Sequence, residues 1–270
     1  MKLIHHVNCL SVSDGVILEW KLMDQVRLRS VTVYANRVDR KLVIKSPLLV
    51  TGRCHISMQV AELVNNFYIH VEDIDGERED SELLSPQLLK PEARRILHEI
   101  RNRELVYMKS HPFGAYKFVL LLKHQYGLPC EVCGDGMCAP HGGQGVDPGC
   151  ALCLGTGMKD PYYIYPEPEL MLAMSPKDDK ITGDPNAMRN IVTRTFRSVF
   201  PLYLREEDIL IIQNEAYQIK EQSVAASVGN APVVYQLTCV QYPTGDPRYP
   251  SFNRIVKDVF DGKYKQCGDK

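Results

Sequence analysis

Cys130-Glu131-Val132-Cys133 and Cys150-Ala151-Leu152-Cys153 are two CxxC knuckles set sixteen residues apart in a chain of 270. Each knuckle offers two thiols from one tight turn, and two such turns brought together make the tetrahedral sulfur cage that structural zinc favours. The spacing therefore predicts a zinc ribbon over residues 129–160, held by Cys130, Cys133, Cys150 and Cys153. The stretch between the knuckles is rich in turn formers, among them Gly134, Asp135, Gly136, Gly142, Gly143, Gly145 and Pro148. Such a segment cannot build an apolar core, so the metal would supply its folding energy. Cys138 and His141 lie in the same loop, and either is an alternate for a knuckle cysteine. A redox CxxC and a set of disulfides are the rival readings.

A site closed by four thiolates leaves no coordination position for water, so this metal reads as structural rather than catalytic. The remaining cysteines, Cys9, Cys54, Cys239 and Cys267, follow no spacing logic. The opening Met1-Lys2-Leu3-Ile4-His5-His6 leads into no long apolar region, so no secretion signal is expected and a reducing cytosol fits as the place of synthesis. Thirty-two basic residues against 33 acidic ones give a net charge of −1, which excludes a polyanion partner attracted by bulk charge alone. The apolar run Phe118 to Leu122 is far short of the ~20 residues that span a bilayer. No membrane insertion is expected.

Outward from the knuckles the chain reads as mainly β with some α. Residues 1–78 alternate with period two: Val16, Leu18 and Trp20 share one face of a strand, as do Phe67, Ile69 and Val71. Arg29–Arg37, Lys41–Val50 and His55–Val60 are further strand candidates, giving about seven in an N-terminal β-sandwich with Trp20 in its core. Glu77 to Glu82, with Pro86 and Pro91, reads as a linker opening a segment over 79–128 that is helical from Pro91 onward. In that helix Ala93, Ile96, Leu97, Ile100 and Tyr107 recur at helical spacing. Residues 87–124 hold eight Lys/Arg against three acids, an excess of +5. The main reading of this charge is a solvated face with pairs such as Glu99 to Arg103. The other is sequence-independent contact with DNA phosphates through Arg94, Arg95, Arg101 and Arg103.

Residues 161–270 begin with an aromatic and proline-rich strip, Tyr162-Tyr163-Ile164-Tyr165-Pro166-Glu167-Pro168, suited to lying flat on a neighbouring surface. A short helix is expected over Ala187–Phe200. The strands Asp208–Ile212, Ala216–Lys220 and Val233–Val240 follow, the first two joined as a hairpin through Gln213-Asn214-Glu215, and imply a small C-terminal β-barrel.

The N-terminal pattern, with Trp20 ending an early strand and an aromatic-rich late strand leading into Asp73-Ile74-Asp75-Gly76, resembles a fibronectin type III domain. Over residues 90–250 the order of parts resembles structural proteins of tailed bacteriophages: Glu92-Ala93-Arg94-Arg95, the two knuckles, Tyr162-Tyr163, and the end block of Asp208-Ile209-Leu210-Ile211, Tyr217-Gln218-Ile219, Pro232-Val233-Val234-Tyr235-Gln236 and Asp246-Pro247-Arg248-Tyr249. The end block is similar to head-completion or neck proteins. That resemblance implies a virion protein made in the bacterial cytoplasm: a homo-oligomeric ring at the head-to-tail junction, contacting portal, neck, tail or baseplate proteins, with packaged double-stranded DNA in its lumen. A tail or baseplate component is the alternative. Cys150-Ala151-Leu152-Cys153-Leu154-Gly155-Thr156-Gly157 is also similar to the CxxCxGxG repeat of DnaJ-type co-chaperones, which keeps a zinc-dependent chaperone-like or DNA-binding module in view. Here the repeat occurs once, and His111-Pro112-Phe113 stands in place of an HPD tripeptide.

No phosphate loop, nucleophile elbow or HExxH is present, and the carboxylate groups Glu206-Glu207-Asp208 and Asp73-Asp75 sit at turns. No catalytic residues are expected.

Overall fold

The computed structural model describes residues 3–12, 15–23, 28–36, 41–110, 115–128, 130–131, 150, 152–165, 171–174, 180–183, 190–199, 204–229, 231–243 and 245–260. The protein is mainly β, with three sheets and few helices. It forms two compact units that interleave along the chain. The first takes Met1–Arg95, His124–Val146 and Gly157–Pro161; the second takes Ile96–Lys123, Asp147–Thr156 and Tyr162–Lys270.

The first unit holds β1 (Ile4–Val12), β2 (Gly15–Leu22), β3 (Leu28–Asn36), β4 (Lys41–Ile44), β5 (Arg53–Ser57), the four-residue helix α1 (Met58–Ala61), β6 (Asn66–Asp73) and β7 (Arg78–Asp80). They make one sheet ordered β1-β2-β5 and another ordered β4-β3-β6-β7, all antiparallel. Period-two alternation dictates this: Val16, Leu18 and Trp20 of β2 and Phe67, Ile69 and Val71 of β6 enter one buried cluster with Val31, Val33, Cys54 and Ile56. The core place of Trp20 agrees with the sequence pattern, whereas the candidate strand Lys41–Val50 stops at Ile44 before a 3-10 turn and His55–Val60 stops at Ser57 before α1. The acidic stretch expected to be a linker instead contains β7, paired to β6 through His70↔Asp80 and Glu72↔Arg78. Arg78 and Asp80 are exposed, Arg78 meeting Glu72 at 3.3 Å, while the half-buried Glu79 carboxylate accepts from the Leu3 and Ile4 N–H groups.

A 3-10 turn over Pro47–Thr51 ends at Gly52, which holds φ 70° in the left-handed region. Gly52 is required there for a second reason as well. A Cβ would strike the side-chain amide of Gln125 and come within 2.6 Å of the Trp20 carbonyl.

The helix α2 (Pro91–Ser110) starts at Pro91 as its N1-type residue predicts. Its buried positions are Leu97 and Met108, whereas Ile96 and Tyr107, expected on the apolar face, are exposed.

The second unit holds β8 (Ala115–Lys123), β9 (Tyr162–Ile164), β10 (Met171–Met174), β11 (Lys180–Gly183), β12 (Asn190–Ser198), β13 (Ile209–Ile212), β14 (Glu215–Val228), β15 (Ala231–Gln241) and α3 (Tyr249–Phe260). Its pairings return on themselves: β10-β12-β15-β14-β13-β8, and β8 pairs back to β10. The apolar segment from Ala115, placed by its position in the helical 79–128 segment, is strand β8. Phe118 to Leu122 are all buried, and a strand covered on both faces reads as an unbroken apolar run.

The helix expected over Ala187–Phe200 is likewise corrected: residues 190–198 are β12, whose Thr193–Ser198 pair with Tyr235–Val240. The β-branched Ile191, Val192, Thr193 and Thr195 suit the pleat better than a helix. Residues 187–189 and 200 lie outside the described residues. The hairpin is as expected, with Gln213 and Asn214 both at positive φ between Ile212 and Glu215. The helix α3 went unread in the sequence. Its Phe252 is fully buried, with Tyr249, Ile255, Val256 and Val259 packed against the same cluster.

Candidate metal centre

Cys130, Cys150 and Cys153 come together. Their Sγ atoms all lie within 4.8 Å of one another, each side chain is buried, and none is in a disulfide. In a tetrahedral zinc–thiolate site with bonds of about 2.3 Å, neighbouring sulfurs stand about 3.8 Å apart, so the three fit the corners of one such site. Three buried sulfur donors suit a borderline-soft cation such as zinc over hard oxygen-seeking ones. Burial would penalise thiolates left without a cation, which makes the cluster chemically reasonable as a metal site. The predicted fourth ligand, Cys133, and the alternates Cys138 and His141 lie outside the described residues.

The backbone around the cluster is built for this approach. The Cys130 N–H donates to the Gly157 carbonyl at 2.9 Å, and the Lys159 N–H donates to the Leu128 carbonyl at 2.8 Å, a short ladder joining the two ends of the excursion. After Cys153 the chain reverses sharply: Leu154, Gly155 and Gly157 have φ of 52°, 79° and 77°. Glycine at two of these three positions is what the LGTG sequence supplies. The Cys153 carbonyl accepts from both the N–H and the hydroxyl of Thr156, at 3.0 and 2.7 Å. Glu131 pairs with Lys159 at 2.6 Å on the surface, and that ammonium holds its carboxyl below the usual range.

Two anchors fix the knuckles from behind. Leu154 joins the buried cluster of Val119, Leu121, Ile164, Ile209, Ile211, Ala216 and Phe252. Ahead of the first knuckle, Gln125 is tied into the first unit. Its Oε1 accepts from the Leu22 N–H at 3.0 Å, its Nε2 donates to the Trp20 carbonyl at 2.8 Å, and its own N–H donates to the Val50 carbonyl at 2.8 Å. Nothing in the sequence marked Gln125 beyond a polar residue directly following an apolar strand. Gly52, which vacates the space it fills, sat between the strand candidates Lys41–Val50 and His55–Val60.

The four candidate phosphate contacts on α2 are not equivalent. Arg94 is engaged by Glu62 at 3.0 Å, Arg101 is half-buried, and Arg95 and Arg103 are exposed. The acidic groups act as local acceptors. Asp208 is buried, its carboxylate accepting from the backbone N–H groups of Lys123 at 2.9 Å and Arg205 at 2.7 Å, while Glu207 pairs with the Lys123 ammonium at 2.5 Å. Asp73 accepts from the Glu77 N–H at 2.8 Å and shapes a turn. No described helix is long and apolar enough to cross a membrane.

Comparison with known protein families, curated proteins and solved structures found no match.

Proposed function

We propose that this protein is a zinc-stapled structural component of a tailed-bacteriophage virion, a homo-oligomeric ring-forming adaptor at the head-to-tail junction that acts by assembly rather than by catalysis. The observation that carries the reading is where the neck-like end block falls. Asp208 to Ile211, Tyr217 to Ile219 and Pro232 to Gln236 lie on or directly beside β13, β14 and β15, inside the set of six strands whose pairings close on themselves. We read that set as a small β-barrel, the part that the resembled family uses to build rings. The shared core of the two N-terminal sheets supports reading the first unit as a fibronectin type III-like sandwich, a contact module.

In this reading Cys130, Cys150 and Cys153 hold zinc with Cys133, or with Cys138 or His141 in its place. The metal supplies a rigid crosslink where the chain has too little apolar surface to fold unaided. The protein would be made in the bacterial cytoplasm and end in the virion, beside portal, neck, tail or baseplate proteins. Arg95 and Arg103 are the side chains placed to meet packaged DNA if α2 lines the lumen.

Two measurements test this. Elemental analysis should find one zinc per chain, lost in Cys150→Ser/Cys153→Ser; one zinc retained by that variant would reject the thiolate assignment. Electron microscopy of particles carrying a tagged copy should place density in a ring between portal and tail, and density elsewhere in the particle would overturn the junction.

A further inference from the structure

The sheet β4-β3-β6-β7 turns Val31, Val33, Ala35, Phe67, Ile69 and Val71 into the core of the first unit, so the alternate positions form its other face. Three aromatic side chains stand in a row on that face. The Tyr34 and Tyr68 rings are stacked with centroids 5.1 Å apart, and the His70 ring meets Tyr34 edge-on at 6.1 Å. All three are half-buried, and Val43, paired with Tyr34 across β4, is exposed.

The row already holds a cation. The ammonium of Lys41, the first residue of β4, lies 3.7 Å from the Tyr34 ring centre and 4.6 Å from that of Tyr68. Aromatic faces carry the negative lobe of the ring quadrupole and attract a cation placed over them. Lys41 is exposed, on a four-residue edge strand, and its flexible stem lets the ammonium swing clear of the rings. Carboxylates flank the row. The exposed Asp80 reaches His70 at 2.6 Å, and residues 72–82 of the β6–β7 hairpin carry seven carboxylates against the single guanidinium of Arg78. A face so flanked repels an acidic partner and draws a basic one.

We infer that the Tyr34–Tyr68 pair is a docking site for a lysine ammonium on a basic segment of a partner protein, with Lys41 occupying it while the partner is absent. The carrying observation is the ammonium seated on both rings, which is the chemistry that the pair accepts. The acidic hairpin beside it selects a basic segment over an acidic protein or a nucleic acid. The inference deepens the reading of the first unit as a contact module, and rests on that reading for the existence of a partner.

The probe is a capped Gly-Lys-Gly-Lys-Gly peptide, titrated into the full zinc-loaded chain while the Tyr34 and Tyr68 ring resonances are followed by NMR. Lys41→Ala should tighten binding by about fivefold to thirtyfold, the worth of two exposed cation–π contacts that no longer compete. Lys45→Ala removes the same charge from an exposed position just past β4. It should change binding by less than about twofold, since a solvated charge is screened. Tyr34→Leu/Tyr68→Leu keeps apolar bulk without the ring faces and should lose the binding, with unchanged Trp20 emission showing that the unit folds. Acetylating the peptide's lysines should also abolish it. A Lys41→Ala chain that binds no tighter than Lys45→Ala, or a leucine variant that binds like its parent, overturns the inference and leaves only charge adsorption on the hairpin. Peptide binding by a chain that forms no ring in phage particles sinks the virion reading and spares the site, whereas a ring in particles from a chain that ignores the peptide does the reverse.

Discussion

Replacing Gly52 by alanine tests how the first unit grips the chain that leads into the metal centre. Alanine at φ 70° costs about 1–2 kcal/mol in the left-handed region, and its Cβ, 2.6 Å from the Trp20 carbonyl, forces a small backbone shift besides. The same Cβ displaces the Gln125 amide, which gives up its bonds to the Leu22 N–H and the Trp20 and Thr51 carbonyls. At about 1 kcal/mol for each bond, those losses amount to about 2–3 kcal/mol. Gly52→Ala should therefore destabilise the unit by about 4–5 kcal/mol and Gln125→Ala by about 2–3 kcal/mol. In the double variant the amide is already gone, so its total should fall near that of Gly52→Ala alone, an interaction energy of about −2 to −3 kcal/mol. Trp20, the chain's single tryptophan and fully buried, reports the transition by fluorescence in denaturant. Two costs that simply add would show that Gly52 and Gln125 do not share one space, and the anchor would be refuted.

Burial raises the thiols that stand apart from the metal centre: Cys9 to about 11 and Cys54 to about 12, both from a usual 9.0, with Cys239 pushed higher still. A raised folded-state value means that the stability they contribute is whole below about pH 9 and is lost as pH climbs through 11 to 12. Denaturation midpoints should accordingly hold steady from pH 7 to 9 and fall above it, and maleimide at pH 7.5 should leave all three thiols unmodified in the folded chain. Midpoints flat to pH 11 would contradict this. On α2, Arg95→Glu/Arg103→Glu should weaken retention of packaged DNA, and the loss should shrink as salt rises. Retention unchanged by the two reversals would assign the +5 excess to a solvated face.

What the sequence made legible followed from residue periodicity and cysteine spacing. Val16, Leu18 and Trp20 could be sorted to one face because successive side chains of a strand point to opposite faces, and the knuckles because thiols so spaced have few other uses. The errors have physical causes. Phe118 to Leu122 fit helix or strand alike when both faces are covered, and only the partners β13 and β9 decide. Ile191 to Phe196 was misread as part of a short helix although its β-branched residues favour a strand. The helix α3 was legible in the spacing of Phe252, Ile255, Val256 and Val259, which the reading of the end block passed over. The Asp246-Pro247-Arg248 turn before it is held by a two-pronged Asp246–Arg248 contact, with the guanidinium over the Tyr242 ring. The pairing that closes β8 onto β10 joins residues more than fifty apart, and no local pattern encodes it.

The two anchors also bound what the proposed zinc would hold. Gln125 and Leu154 are secured by hydrogen bonds and apolar packing that involve no thiol, so stripping the metal should free the excursion without unfolding either unit. Amide exchange separates the possibilities, because local opening exposes only the bonds that open. On chelation the Cys130, Thr156 and Lys159 amides, bonded to the carbonyls of Gly157, Cys153 and Leu128, should lose protection. The Gln125 and Leu22 amides, bonded to the Val50 carbonyl and to Gln125 Oε1, should keep theirs, as should the strand amides around Trp20. Restoring zinc should return the first set, and acid should release the metal because protons compete for the thiolates. Loss of protection throughout the first unit would make the metal a condition of the whole fold. Protection unchanged at Cys130 and Thr156 would mean that the three thiols meet by packing alone, and the staple would have no function.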